Sequence, residues 1–181
     1  MPDAALVVGD PERLAALRRV LLLDSPPTPQ FDRLTRLAAR LLDAPVALLT
    51  LIDADRQYLK SAFGLPEPLA AERETPLRYS ICQHALAVGG PLVVRDTSAH
   101  AELNGHPAAS ELGVRAYAGV PVTSPDGYGL GALCVLDWQP REWGDDEVGV
   151  LSDLAAIAND EVALHLHERR VAHWRRRILD P

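Results

Sequence analysis

Cysteine is scarce in this chain, and its scarcity removes several classes of protein at once. Two of the 181 residues are cysteine, Cys82 and Cys134, too few for a disulfide framework. No apolar run reaches the roughly 18 residues of a membrane-spanning helix. No positively charged and then apolar leader opens the chain. The simplest expectation is a cytoplasmic protein with no membrane partner. Positive charge is short as well: Lys60 is the single lysine among 18 basic residues, against 25 acidic ones, and the net charge is −7. That balance argues against nucleic acid as a partner. Internal repeats and low-complexity segments are absent. What is present is 48% hydrophobic residues in a length that suits one domain, enough for a packed core and room for flanking helices.

Start and stop signals divide the chain. Asp10-Pro11-Glu12 combines an N-cap, a first-turn proline and an acid, and Leu14, Leu17 and Leu21 share a face of the helix that follows. Ser25-Pro26-Pro27 ends it. Thr28-Pro29 starts a second amphipathic helix carrying Phe31, Leu34, Ala38 and Leu41. Pro45 to Ile52 reads as a buried strand, Gln57 to Phe63 as its return, and the proline-broken stretch Leu65 to Leu77 as a long covering loop. Tyr79 to Leu86 reads as a short helix with Ser80 as N-cap, Pro91 to Arg95 as a strand, and His106 to Leu112 as a short helix closed by Gly113.

Residues 115–137 are the most informative stretch. The runs Tyr117–Val122 and Leu130–Leu136 flank the turn Ser124-Pro125-Asp126-Gly127, whose proline and glycine suit a hairpin. Gly119, Gly129 and Gly131 interrupt the strands. Glycine weakens a strand, so its repetition here points to bulges or to a close approach of other groups, as in the wall of a small-molecule pocket.

From Gly144 a helical pattern runs to about Ile178, opened by Asp145, Asp146 and Glu147 at the positive end of the dipole. One stripe, Val148, Leu151, Ala155, Ala158 and Val162, suits packing on the domain. A second places Val150, Ile157, Leu164, Val171 and Ile178 seven residues apart, with Trp174 between the last two. That is coiled-coil spacing. A helix of about 33 residues spans roughly 50 Å, more than a small domain covers, so a homodimer through this seam is expected; a bent helix folding back on its own sheet is the alternative. The end is basic, with Arg169, Arg170, Arg175, Arg176 and Arg177.

Four segments in fixed order, Arg73–Leu86 (with Tyr79-Ser80-Ile81-Cys82-Gln83-His84 inside it), Pro91–Thr97, Leu112–Pro121 and Leu130–Asp137, resemble a GAF domain over about residues 11–170. The order of elements gives an α+β layered domain. The resemblance implies a central antiparallel sheet of five or six strands, with terminal helices packed on one face. Loops and short helices enclose a pocket on the other. Residues 1–27 form an N-terminal helix and linker, 28–143 the core, and 144–181 the signalling and dimerisation helix. The resemblance also implies small-molecule binding passed to an output domain or signalling protein through the terminal helix.

The family hosts several chemistries, so each is weighed on these residues. Bilin-binding members attach the chromophore to a cysteine shortly before the strand that here starts near Arg115, and 101–114 contains none. The lysine of the cyclic-nucleotide signature has no match, since Lys60 sits on a different strand. Haem members use a lid histidine; His100 and His106 lie there, but a loop histidine is more often solvated. Free methionine-R-sulfoxide reductases use pocket cysteines. Cys82 resembles one of these, but the lid lacks the attacking cysteine, and the plain reading of both thiols is small buried hydrophobes. Asp96, His100 and His106 lie in loops, and no metal is expected. Tyr79, Ser80, Cys82, Asp96, Arg115 and Tyr117 are the candidate ligand-binding residues, with loop and sheet packing as their other role and an Asp96–Arg115 salt bridge as the plain reading of that pair. Val150, Ile157, Leu164, Val171 and Trp174 are the dimerisation residues. The expectation is a sensory domain without catalysis, binding a small molecule of unknown identity with no cofactor assigned. A structural dimerisation module with a vestigial pocket, or a thiol reductase, are the alternatives.

Overall fold

A computed structural model describes residues 2–179; Met1, Asp180, Pro181 and the side chains of Arg176 and Leu179, all within the segments named above, lie outside the described residues. Six strands form one antiparallel sheet. They are β1 (Val46–Ile52), β2 (Arg56–Phe63), β3 (Glu74–Pro76), β4 (Leu92–Val94), β5 (Ala116–Thr123) and β6 (Gly129–Asp137), in the spatial order β3-β2-β1-β6-β5-β4. The central strands β1 and β6 are apolar along nearly their whole length because both faces are covered.

Period-2 alternation sorts the strand residues into two cores. Ala47, Leu49 and Leu51 of β1, with Leu133 and Val135 of β6, meet α2 (Pro11–Arg19), α3 (Pro29–Leu41) and α7 (Asp145–Leu179). Val46, Leu48 and Ile52, with Ala132, Cys134 and Leu136, meet α1 (Ala4–Val8), α5 (Cys82–Val88) and α6 (Pro107–Ser110). The terminal helices α2 and α7 therefore share one face, and the short helices cover the other.

Several local signals act as their chemistry dictates. Asp10 caps α2 by accepting from the amides of Glu12 and Arg13 at 2.8 and 2.9 Å. Ser124 accepts from the Gly127 amide through its carbonyl at 2.9 Å and closes the hairpin turn. Glu147 caps α7 by accepting from the Gly144 amide at 2.8 Å, the reciprocal bond of a capping box. A Cβ on Gly131 would stand 1.7 Å from the Thr50 carbonyl oxygen, so glycine permits the close approach of β1 to β6.

Other features depart from the sequence reading. The helix α1, absent from the reading above, is capped by Asp3, which accepts from the Ala5 amide at 2.9 Å; it lies against α5 and is held by Arg13, whose buried guanidinium donates to the Val7 and Val8 carbonyls and to that of Gly129. The stretch read as loop, Leu65 to Leu77, contains a four-residue helix, α4 (Leu69–Glu72), and the edge strand β3. α5 starts at Cys82 rather than Tyr79, because a 3₁₀ turn over Leu77–Tyr79 and an extended Ser80 precede it. Ser80 stands two residues before the helix, though its Oγ still accepts from the Gln83 amide at 3.3 Å. The lone lysine is buried: Lys60 Nζ donates to Ser25 Oγ at 2.6 Å and to the Pro26 carbonyl at 2.7 Å, fastening the α2–α3 linker to the sheet, and burial lowers its pKa to about 8.

Candidate functional site

A cavity of about 230 Å³ lies between the sheet and the segments that cover it. Its floor comes from alternate positions of the strands: Leu48 on β1, Gln57 and Leu59 on β2, Tyr117 on β5, Cys134 and Leu136 on β6. Its cover is Tyr79, Ile81 and Cys82 on one side and Ala108, Glu111, Leu112 and Val114 on another. Leu65, Pro66, Leu69, Thr75 and Trp138 complete the wall. The volume lies between the 150 Å³ or so that holds benzene and the 300 Å³ or more of a drug-sized cleft.

Few polar groups interrupt this lining. Gln57 is held from both ends, accepting from Ser80 Oγ at 2.7 Å and donating to Thr75 Oγ1 at 3.3 Å. At the mouth, the Tyr79 hydroxyl donates to Glu111 Oε2 at 2.5 Å, and exposed Arg78 donates to the same hydroxyl while lying 4.8 Å from the ring. Glu111 is the lining residue with a formal charge at neutral pH; arginine and lysine are absent among the described residues that line the cavity.

The innermost groups are Tyr117, Cys82 and Cys134. The Tyr117 ring crosses above Gly119, whose Cβ would stand 2.1 Å from the hydroxyl oxygen; any other residue there would displace the ring. The hydroxyl so placed donates to Cys82 Sγ at 3.3 Å, and Cys82 Sγ lies 3.6 Å from Cys134 Sγ. Burial, and then the neighbouring Cys82, push the Tyr117 pKa well up. The hydrogen bond with Cys134 lowers Cys82 against the opposing effect of burial, and the same contact together with burial raises Cys134.

Of the six residues proposed from sequence, Tyr79, Cys82 and Tyr117 come together at the cavity. Ser80 is buried one step behind Gln57 and does not line it. Asp96 and Arg115 lie outside the lining as an ion pair, with two contacts of 3.0 and 3.1 Å from Arg115 Nη2. Hydrogen bonds from Ser98 first, and Arg115 after them, hold the Asp96 carboxyl below its usual range. The pair joins the loop after β4 to the start of β5. Gln57, Thr75, Glu111 and Trp138 were missed. Gln57 could have been found as a polar residue at the same strand parity as apolar Leu59. His84 and His106 pack edge to face at 5.7 Å, and burial lowers both. No cluster of three or more metal-ligating side chains occurs among the described residues.

On α7, Leu151, Ala155, Ala158 and Val162 are buried in the helix-face core. The second stripe divides. Val150 is partly buried against that core, whereas Ile157, Leu164, Val171 and Trp174 are 47%, 50%, 37% and 58% exposed. No helix among the described residues is long and apolar enough to cross a membrane.

Comparison with known proteins places this geometry. The family model described as GAF domain matches residues 26–162. A cyclic di-GMP phosphodiesterase of Pseudomonas aeruginosa is 31% identical over 164 residues; the match covers 90% of this chain and 26% of that protein, so the chain spans about a quarter of its relative. The crystal structure of the GAF domain from an Acinetobacter phosphoenolpyruvate-protein phosphotransferase superposes with a TM-score of 0.62 at 20% identity, covering 88% of this chain and 96% of that one. A free methionine-R-sulfoxide reductase from Neisseria meningitidis, solved with its substrate, superposes with a TM-score of 0.60 at 22% identity, covering 93% and 95%. These last two likenesses concern the fold. The chain belongs to the GAF domain family, a family of signalling and sensory domains.

Proposed function

We propose that this chain is a non-catalytic sensory domain that binds a small molecule in the cavity beneath the 79–82 and 108–114 segments and signals through a dimeric α7. The cavity carries the reading. It has the mostly apolar lining and few convergent polar groups of a small-molecule site. Its volume suits a single ring. Its charge selects further: Glu111 lines the mouth, Arg78 stands outside the lining on the exposed side of Tyr79, and none of the described lining residues is cationic, so an anion inside the cavity would be desolvated without a partner. The ligand is neutral or cationic, with an apolar body against Leu48, Leu59 and Val114. A cyclic nucleotide, with its phosphate, fits this site poorly, and this reading assigns the chain no part in the activity named for the Pseudomonas relative, of which it spans 26%.

The seam on α7 supports the second half. Core-facing side chains of α7 run from Leu151 to Val162, with Leu166 partly buried, and the remaining turns carry Val171 and Trp174 exposed. A second copy of α7, seated on the seven-residue stripe, buries them. Such a protein works in the cytoplasm, with an output domain or signalling protein as recipient. Within it, 28–143 is the sensing core, 144–181 the relay, and 1–27 a leading segment.

The test is a set of melting curves with phenol, benzylammonium and benzoate. Binding to the folded state alone raises the melting temperature. Phenol or benzylammonium is expected to raise it and benzoate to leave it unchanged, and Ala108→Phe, which fills the cavity from α6, abolishes the rise. If no probe acts on a folded protein that is nonetheless dimeric, the structural dimerisation module takes precedence. Turnover of free methionine sulfoxide would instead favour the thiol enzyme.

A further inference from the structure

The thiols of Cys82 and Cys134 face each other at 3.6 Å, with the Tyr117 hydroxyl 3.3 Å from Cys82 Sγ. Both side chains are closed to the outer surface, at 2% and 0% exposure, yet both line the cavity. A pair of thiols in contact is therefore reachable by a small reagent entering the cavity and by little else. The cysteines come from different elements, Cys82 from the first turn of α5 and Cys134 from the middle of β6.

We propose that Cys82 and Cys134 form an oxidisable dithiol whose substrate is a small hydroperoxide admitted through the cavity. Cys82 is the attacking sulfur, because the Tyr117 hydroxyl donates to it and stabilises its thiolate. Its sulfur takes the terminal oxygen of the hydroperoxide as the O–O bond breaks, and the thiol proton goes to the departing oxygen. The products are a Cys82 sulfenic acid and water, or an alcohol from an alkyl hydroperoxide. Cys134 Sγ then attacks the Cys82 sulfur, and the S–O bond breaks. The hydroxide leaves with the Cys134 proton as water, and a disulfide remains. In sum, two thiols and one hydroperoxide give one disulfide, one alcohol or water, and one further water.

The two sulfurs are already in contact. The sulfurs must close from 3.6 Å to about 2.05 Å. The disulfide ties α5 to β6 across a sequence separation of 52 residues and turns the thiol that accepts from the Tyr117 hydroxyl into a disulfide sulfur. Both sulfurs line the cavity, so oxidation reshapes its floor, and oxidation state and ligand affinity are linked. The dithiol uses the cavity as a path for peroxide and needs no resident ligand, so it stands or falls apart from the sensor reading.

The experiment treats the fully reduced wild-type chain with hydrogen peroxide, removes the excess with catalase, and alkylates in denaturant before measuring whole-protein mass. Both thiols are expected to become resistant to alkylation together, within one chain, and to be restored by dithiothreitol. Cys134→Ser is expected to stop at the sulfenic acid, trapped on Cys82 by dimedone, and Ala108→Phe to slow wild-type oxidation at least tenfold. The proposal is overturned if both wild-type thiols remain alkylatable after an exposure that oxidises glutathione completely in the same tube. It is overturned equally if the disulfide that forms links two chains.

Discussion

Replacing Ile157 and Leu164 by glutamate is the most telling perturbation of α7. Their side chains remain 47% and 50% exposed, so neither replacement removes much from the domain's own core. Fully burying such a side chain is worth about 1.5–3 kcal/mol, and roughly half of each is still uncovered, leaving about 1 kcal/mol per residue to be gained in a seam. A symmetric pair brings four such side chains together, for about 4 kcal/mol, or about a thousandfold in dissociation constant. Glutamates at the same positions add the cost of confining carboxylates. Ile157→Glu/Leu164→Glu is therefore expected to stay folded, to melt below the dimeric wild type by no more than the lost association accounts for, and to be monomeric where the wild type is dimeric. Sedimentation equilibrium across the micromolar range, with circular dichroism as the check on folding, measures both. A wild type that stays monomeric throughout that range refutes the reasoning, as does a folded double variant that dimerises as tightly as the wild type.

Three further outcomes follow from particular contacts. Gly131→Ala puts a Cβ 1.7 Å from the Thr50 carbonyl oxygen and must part β1 from β6; a loss of about 3 kcal/mol is expected in urea unfolding, and a loss well under 1 kcal/mol contradicts the register. Arg141 donates to the Leu42 carbonyl, to that of Asp43 at 2.8 Å and to Glu147 Oε1 at 2.7 Å, so Arg141→Ala is expected to cost about 2 kcal/mol in the same assay by stranding these acceptors. His84 and His106 both sit below their ordinary value of 6.5 through burial. With the folded pKa depressed, the unfolded chain binds protons first, so stability is full above 6.5 and declines as the pH falls from there toward the folded values. Urea midpoints at neutral and mildly acidic pH measure this; His84→Gln is expected to flatten the decline, and a wild-type stability independent of pH contradicts it.

The elements that announced themselves did so through local chemistry. Pro11 and Pro29 start helices, Ser124 to Gly127 turn the hairpin, and Asp145 to Glu147 open α7. What escaped is held by tertiary contact. α1 has five residues, too few to stand alone, and depends on Arg13 and α5. β3 has three residues, pairs with β2 alone and exposes two of them, which leaves little alternation to detect. The site was legible in part for the same reason. Tyr117 and Cys82 belong to the segments that carry the family resemblance, whereas Gln57, Glu111 and Trp138 reach the cavity from β2, the end of α6 and the end of β6, a convergence that appears once the chain is folded. Asp96 and Arg115 were read both as ligand contacts and as a salt bridge, and they make the salt bridge.

The central claim, that the cavity between the sheet and the 79–82 and 108–114 segments holds a small neutral or cationic ring, is tested most directly by methyl NMR. Phenol and benzylammonium are titrated into the wild type and into Ala108→Phe while the methyl groups of Leu48, Leu59, Ile81 and Val114 are followed. The account predicts saturable shifts of these methyls with at least one probe, little movement of Leu151 on the opposite face, and no saturable shift in the filled variant. Shifts that never saturate, or that are as large in Ala108→Phe as in the wild type, would contradict it.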